Sequence, residues 1–194
     1  KSCMYNRSMI DANAHITFLQ KTFEKQKISS AVIAVSGGID SAVSLSLLAH
    51  ALSLSHVFPI LLPYKNQNMD DAQAICAWNK IPQVQWQTHN IEKPVQEIAT
   101  LAGIKDNDHV RLGNVMARVR MILMYDFAKK HNALVCGTEN KSEHYLGYFT
   151  RFGDAASDVE PIASLYKTEV RELAAQLQLP QQFLSKQPSA GLWD

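Results

Sequence analysis

Five apolar residues, Ala31-Val-Ile-Ala-Val35, run straight into Ser36-Gly-Gly-Ile-Asp-Ser41, and this junction constrains the chain more than any other stretch. A run of this length bounded by small residues suits a strand buried on both faces. Two adjacent glycines then let the backbone turn tightly with its N–H groups exposed. Ile39, Val43, Leu47 and Ala51 follow at helical spacing, so the turn opens a helix. Unpaired N–H groups and the macrodipole at that helix start favour an anion, and Ser36 and Ser41 add hydroxyl donors. Asp40 is the odd member, because a carboxylate beside a phosphate is repulsive unless a divalent cation lies between them. The junction therefore reads as a phosphate loop for a magnesium nucleotide.

The loop is neither a Walker A sequence nor the Gly-x-Gly-x-x-Gly of dinucleotide-binding folds. Nineteen basic against eighteen acidic side chains leave the charge near neutral, so no broad electropositive face for nucleic acid is expected. Cys3, Cys76 and Cys136 are far apart and lack Cys-x-x-Cys spacing. That pattern argues against a disulfide framework or a structural zinc site and suits a reducing cytoplasm. No run approaches the roughly 18 apolar residues of a membrane span. The chain reads as soluble, with no membrane partner, and as one domain over residues 1–194.

Helix and strand patterns alternate along the chain. An amphipathic helix is predicted over 9–26, with Ile10, Ala14, Phe18 and Leu19 on one stripe. Strands are predicted at Ala31–Val35, Val57–Leu62, Val84–Thr88 and Ala133–Cys136, separated by helical patterns, including 93–102 and the long 110–131. In the last of these, Val115, Val119, Ile122, Leu123 and Phe127 are expected to share one face. Such alternation implies a doubly wound parallel sheet with helices on both faces, a three-layer α/β fold. Ligands of such sheets bind beyond the carboxyl ends of the strands. The loops after Val35, Leu62 and Cys136 are thus expected to converge on one crevice.

The loop after the fourth strand is rich in polar and aromatic residues: Gly137-Thr-Glu-Asn-Lys-Ser-Glu143, Gly147-Tyr-Phe-Thr-Arg-Phe-Gly-Asp154 and Asp158. A plain connection would be shorter and less aromatic. Glu143 could supply a second carboxylate to the cation that Asp40 requires; taken alone it would read as a solvated surface acid. Cys136 and Cys76 read as small buried core thiols. His144, beside Glu143, suits a site or a surface role equally.

The Ser-Gly-Gly-x-Asp-Ser loop resembles the pyrophosphate loop of the N-type ATP pyrophosphatases, and with segment 137–158 the chain resembles the NAD synthetase family over roughly residues 30–194. The resemblance implies the adenine-nucleotide alpha-hydrolase-like fold and the amidation of deamido-NAD to NAD. In that reaction the nicotinate carboxylate attacks the α-phosphate of ATP, pyrophosphate leaves, and ammonia displaces AMP from the mixed anhydride. It places ATP on Ser36, Gly37, Gly38, Ile39, Asp40 and Ser41, with Thr138, Ser189 and Lys167 as further nucleotide contacts and Asp40 and Glu143 as magnesium ligands. Lys167 also carries a catalytic role, because a cation aimed at the α-phosphate favours the charge that collects there in the transition state. Asn114 and Arg118, four apart on one helical face, match positions that contact deamido-NAD. Tyr148 is implied to stack on the pyridine ring, Arg151, Asp154 and Asp158 to surround the nicotinate, and Asp154 to bind or deprotonate the incoming ammonium.

The same resemblance implies a homodimer whose long helices pack across a two-fold axis. No glutaminase domain is expected ahead of residue 30, and free ammonia, or ammonia from a separate glutaminase, is the expected nitrogen source. Three features depart from the family. Leu61 stands where many relatives carry an ATP-contacting arginine, and the sequence stops at Asp194 where relatives continue into a segment with a His-Lys pair, a tail either absent by nature or lying beyond residue 194. Arg151 stands where lysine is common, which keeps the charge and changes its geometry. Two other readings use the same loop. A tRNA-modifying ATP pyrophosphatase would want a basic face and working cysteines, and a non-catalytic nucleotide sensor would not need Asp40, Glu143, Lys167 and Asp154 together.

Overall fold

The computed structural model describes residues 10–105 and 107–185. Among these, four strands form one parallel sheet: β1 (Ser30–Ala34), β2 (Val57–Leu61), β3 (Gln87–Thr88) and β4 (Ala133–Cys136). They lie in the order β3-β2-β1-β4. Ala31 sits beside Val57 on one side and Leu134 on the other, so β1 is central and its first residues are covered from both edges. The chain winds outward from β1 to β3 and then crosses back to β4. The reversal of direction falls between β1 and β4, the place where parallel α/β sheets open a crevice.

Alternation along the strands divides the core into two layers. Ala31, Ile33 and Val35 face one helical layer together with Val57, Leu61, Leu134 and Cys136. Val32, Ile60, Leu62 and Val135 face the other. On the first side pack α1 (Ala12–Gln26), α2 (Ile39–Ala51), α3 (Asp70–Trp78), α7 (Lys167–Gln176) and α8 (Gln181–Ser185). On the second pack α4 (Glu92–Leu101) and α5 (His109–His131). Helix α2 lies deepest, with Val43, Leu45, Leu47 and Leu48 fully buried. Each such side chain contributes about 1.5–3 kcal/mol of burial free energy, so the helix that carries the phosphate loop is anchored to the core along its length.

Three sequence expectations need correction. The third strand is shorter than Val84–Thr88: residues Gln83–Gln85 form a 3-10 turn, and Val84 is 89% exposed. Pro82 heads that turn and pre-sets its backbone, which the apolar count alone could not register. Helix α1 buries Leu19 and Phe23, whereas Phe18 is 47% exposed. In α5 the inward stripe runs through Met116, Val119, Met124 and Phe127, and Ile122 points outward at 58% exposure. Cys76 and Cys136 are buried, as expected, and burial pushes the Cys76 thiol up to about 12 and the Cys136 thiol higher. Among the described residues no helix is long and apolar enough to cross a membrane.

Candidate active site

Strand β1 ends where the chain must leave the sheet beneath α2, and Gly37 makes the turn at φ +80°. A Cβ there would stand 2.8 Å from Asp71 Cβ and 3.1 Å from the Ala72 nitrogen, so the start of α3 closes over the turn. Ser41, 3% exposed, braces the loop from inside. Its hydroxyl donates to the Gly38 carbonyl at 3.0 Å and accepts from the Ser36 N–H at 3.3 Å. Ser36 Oγ in turn accepts from the Gly38 N–H at 3.3 Å. These bonds hold Ser36–Ser41 as a preformed cradle at the start of α2, where the first N–H groups of a helix lack intrahelical acceptors.

Strand β4 runs parallel to β1 and ends beside it, so its exit loop arrives at the same edge. Gly137 is pinned there, since a Cβ would meet Ser157 Oγ at 2.7 Å and Glu160 Cγ at 2.9 Å. Three residues on, Asn140 caps the short helix α6 (Lys141–Leu146) through a reciprocal capping box with Glu143. The Asn140 amide also donates to Asp40 Oδ1 at 2.9 Å, a bond that joins the two loops across 100 residues of sequence. From α7, the Lys167 ammonium donates to Asp40 Oδ2 and lies 3.9 Å from Glu143 Oε1. Helices α6 and α7 are held in register as well: the Lys141 N–H donates to the Leu165 carbonyl at 2.8 Å, and the Lys167 N–H to Ser142 Oγ at 3.0 Å. Lys141 Nζ completes the junction 4.4 Å above the Tyr166 ring.

Asp40, Glu143 and Lys167 therefore meet at one point. Burial, and next the charge of Asp40, hold the Glu143 carboxyl above its usual range, although Lys167 and the bonds from Asn140 pull the other way. Two carboxylates that share a single ammonium form a hard-oxygen pair short of positive charge. Magnesium takes one or two protein carboxylates and fills its remaining positions with phosphate and water, so this donor set fits it.

The residues that the family resemblance assigns to deamido-NAD lie further along the same loop and on α5. Asn114 is half-buried and returns its amide to the Val110 carbonyl of its own helix at 3.0 Å. Arg118 donates to the Arg151 carbonyl at 3.3 Å, which ties α5 to the turn 150–154. Arg151 lies over the Phe152 ring at 4.8 Å, and Tyr148 is 45% exposed. Asp154 is exposed, and its Oδ1 accepts from the Thr150 N–H at 2.7 Å. Asp158 Oδ2 accepts from the Val135 N–H at 2.8 Å and faces the Tyr125 hydroxyl. Thr138 is half-buried directly after β4, and Ser189 lies outside the described residues.

Asn140, Glu139 and Arg120 were not singled out from the sequence. The Asn-x-x-Glu spacing of residues 140–143 is a capping signature that would have marked Asn140. Arg120 carried no such signal; it donates to the Leu62 carbonyl at 3.1 Å, which brings the exit of β2 to the same region, with Asp154 as a nearby opposite charge. Glu139 Oε1 is sealed from solvent without a hydrogen-bond partner. Burial, then Asp154, Glu160 and Glu143, push its carboxyl up to about 8 from 4.5. Between those values the folded protein holds a proton that the unfolded chain has released, so stability falls as pH rises through the window. Glu139→Gln is expected to raise the melting temperature above about pH 8 and to leave it unchanged near pH 4.5. Superimposable melting curves across that range would show that the Glu139 carboxylate ionises without cost.

The family described as NAD synthase matches residues 12–194. The NH(3)-dependent NAD(+) synthetase of Fusobacterium nucleatum subsp. nucleatum is 41% identical over 182 residues, covering 94% of this chain and 70% of the relative. Among solved structures, the NMN synthetase from Francisella tularensis superposes with a TM-score of 0.84 at 35% identity, over 94% of this chain and 75% of that one. The NH3-dependent NAD synthetase from Campylobacter jejuni subsp. jejuni NCTC 11168, in complex with the nitrate ion, gives 0.83 at 35% identity, over 92% and 77%.

Proposed function

The chain belongs to the NAD synthase family, and from that premise we propose that it is an ATP-dependent ligase that amidates deamido-NAD to NAD with ammonia, releasing AMP and pyrophosphate. The meeting of Asp40, Glu143 and Lys167 beyond the adjoining ends of β1 and β4 is the observation that carries this reading. The N–H groups that the cradle leaves unbonded at the start of α2 grip the phosphates of ATP, and the Lys167 ammonium lowers the charge that gathers as the nicotinate carboxylate attacks the α-phosphorus. Magnesium, held by Asp40 and Glu143, would neutralise the phosphate oxygens as a Lewis acid. Thr138 and Ser189 add hydroxyl contacts to the nucleotide.

Asn114, Arg118, Tyr148, Arg151 and Asp158 bind the deamido dinucleotide. Asp154 binds the ammonium ion or takes its proton, so that neutral ammonia attacks the acyl carbon and AMP departs. Free ammonia, or ammonia from a separate glutaminase, is the nitrogen source. The exposed apolar side chains Val110, Ile122, Leu146 and Phe152 support a homodimer. Two thiols held inert by burial suit the cytoplasm.

Incubation with ATP, magnesium, ammonium and deamido-NAD is expected to give AMP and NAD in equal amounts. Because one similar structure is an NMN synthetase, nicotinate mononucleotide serves as the rival substrate, and preference for it would overturn the dinucleotide assignment. AMP without any amide product would point to base adenylation, and no AMP at all to a sensor.

A further inference from the structure

We propose that Asn140 is a positioning residue that aims one oxygen of each carboxylate at a shared cation. The inference rests on the reading that Asp40 and Glu143 hold a divalent ion.

Asn140 is 1% exposed, so its side-chain amide must find protein partners, and both of them belong to the site. Its Oδ1 accepts the Glu143 N–H at 3.1 Å. With the acceptor end consumed by the helix cap, only the donor end of the amide can face Asp40, and Nδ2 meets Oδ1 of that residue at 2.9 Å. The Asn140 backbone N–H then donates to Glu143 Oε2 at 3.1 Å. One oxygen of each carboxylate is thus occupied by the same residue. The two that remain, Asp40 Oδ2 and Glu143 Oε1, both face the Lys167 ammonium. A positive charge already stands where the free oxygens converge, and the amide determines which oxygens those are. An aspartate without this bond could turn both oxygens toward its own helix start, whereas the bond leaves it one direction.

Asn140→Ser separates this role from the cap. Serine is a good N-cap acceptor, so α6 keeps its first turn and the backbone bond to Glu143 Oε2, but the short hydroxyl cannot span to Asp40. Binding of Mn2+ would be followed by electron paramagnetic resonance of the free ion, with no nucleotide present to chelate it and no turnover. The parent protein is expected to bind, and Asn140→Ser to bind about 10–100-fold more weakly, the usual cost of losing a partner that orients a metal ligand. Its melting temperature should stay within about 2–4 °C of the parent, and its affinity for deamido-NAD should be unchanged. In steady state the KM for magnesium should rise while kcat at saturating magnesium stays close to the parent. Equal Mn2+ affinity in a folded Asn140→Ser protein would overturn the inference alone. Absence of Mn2+ binding by the parent would overturn the cation site itself. Should the serine variant fail to fold, Asn140→Thr, whose hydroxyl also serves an N-cap and is likewise too short to reach Asp40, carries the same comparison without adding charge.

Discussion

Exchanging Asp40 for asparagine is expected to slow pyrophosphate release from ATP by about a thousandfold, roughly 4 kcal/mol of lost transition-state stabilisation. The substitution is nearly isosteric, so it leaves α2 and the cradle intact and removes only the charge. The remaining oxygen can still accept from the Asn140 amide, but the site loses the carboxylate that Lys167 now pairs with and that a cation would require. Lys167→Met should cost a similar factor by removing the ammonium at the same point. The two groups act as a unit, so the double substitution should cost far less than the sum of the single effects. Pyrophosphate release measured under saturating substrates settles the matter. Turnover of Asp40→Asn within a few-fold of the parent would remove Asp40 from the reaction, and additive losses would mean that the pair works independently.

The strand–loop–helix junction was legible because several local rules coincide there: a run of apolar residues for a doubly buried strand, a glycine pair for the turn, and helical spacing afterwards. Parallel order and the convergence of the exit loops followed from alternation alone, and the hydrogen bond from Asn140 to Asp40 joins two of those loops, the ones after β1 and β4. The three-layer architecture of the adenine-nucleotide alpha-hydrolase type is the result, with α4 and α5 on one face and the remaining long helices on the other. Where the reading failed, a local count stood in for tertiary information. Val84 looked like a strand residue by type, yet its segment packs nothing on one side and curls into a turn after Pro82. Ile122 matched an inward stripe by spacing, but the buried face of the 23-residue α5 runs through Met116, Val119, Met124 and Phe127 instead. Glu139 and Arg120 escaped notice because their importance lies in burial and in neighbours far off in sequence.

The glycine pair can be taken apart experimentally, because its members do different work. Gly37→Ala is expected to destabilise the fold by about 2–4 kcal/mol. Left-handed backbone costs an L-residue about 1–2 kcal/mol, and the new methyl group would press on Asp71 Cβ at 2.8 Å and on the backbone of α3 at 3.1 Å. Neither neighbour is the free end of a flexible chain, so α3 or the loop must shift. Gly38 sits at φ −84°, an ordinary extended value, and a Cβ there would meet only Ser36 Oγ at 3.4 Å. Gly38→Ala should therefore melt within about 1 kcal/mol of the parent. The comparison divides turn geometry from phosphate contact, since both positions lie in the cradle but only one strains the backbone. Urea unfolding monitored by circular dichroism gives the stabilities, and equilibrium binding of an ATP analogue gives the second axis. Loss of nucleotide affinity in Gly38→Ala with stability intact would assign close phosphate approach to Gly38. If Gly37→Ala unfolded at the same urea concentration as Gly38→Ala, the closure of α3 over the loop would have no mechanical consequence, and the rigid cradle on which nucleotide capture depends would have to be abandoned.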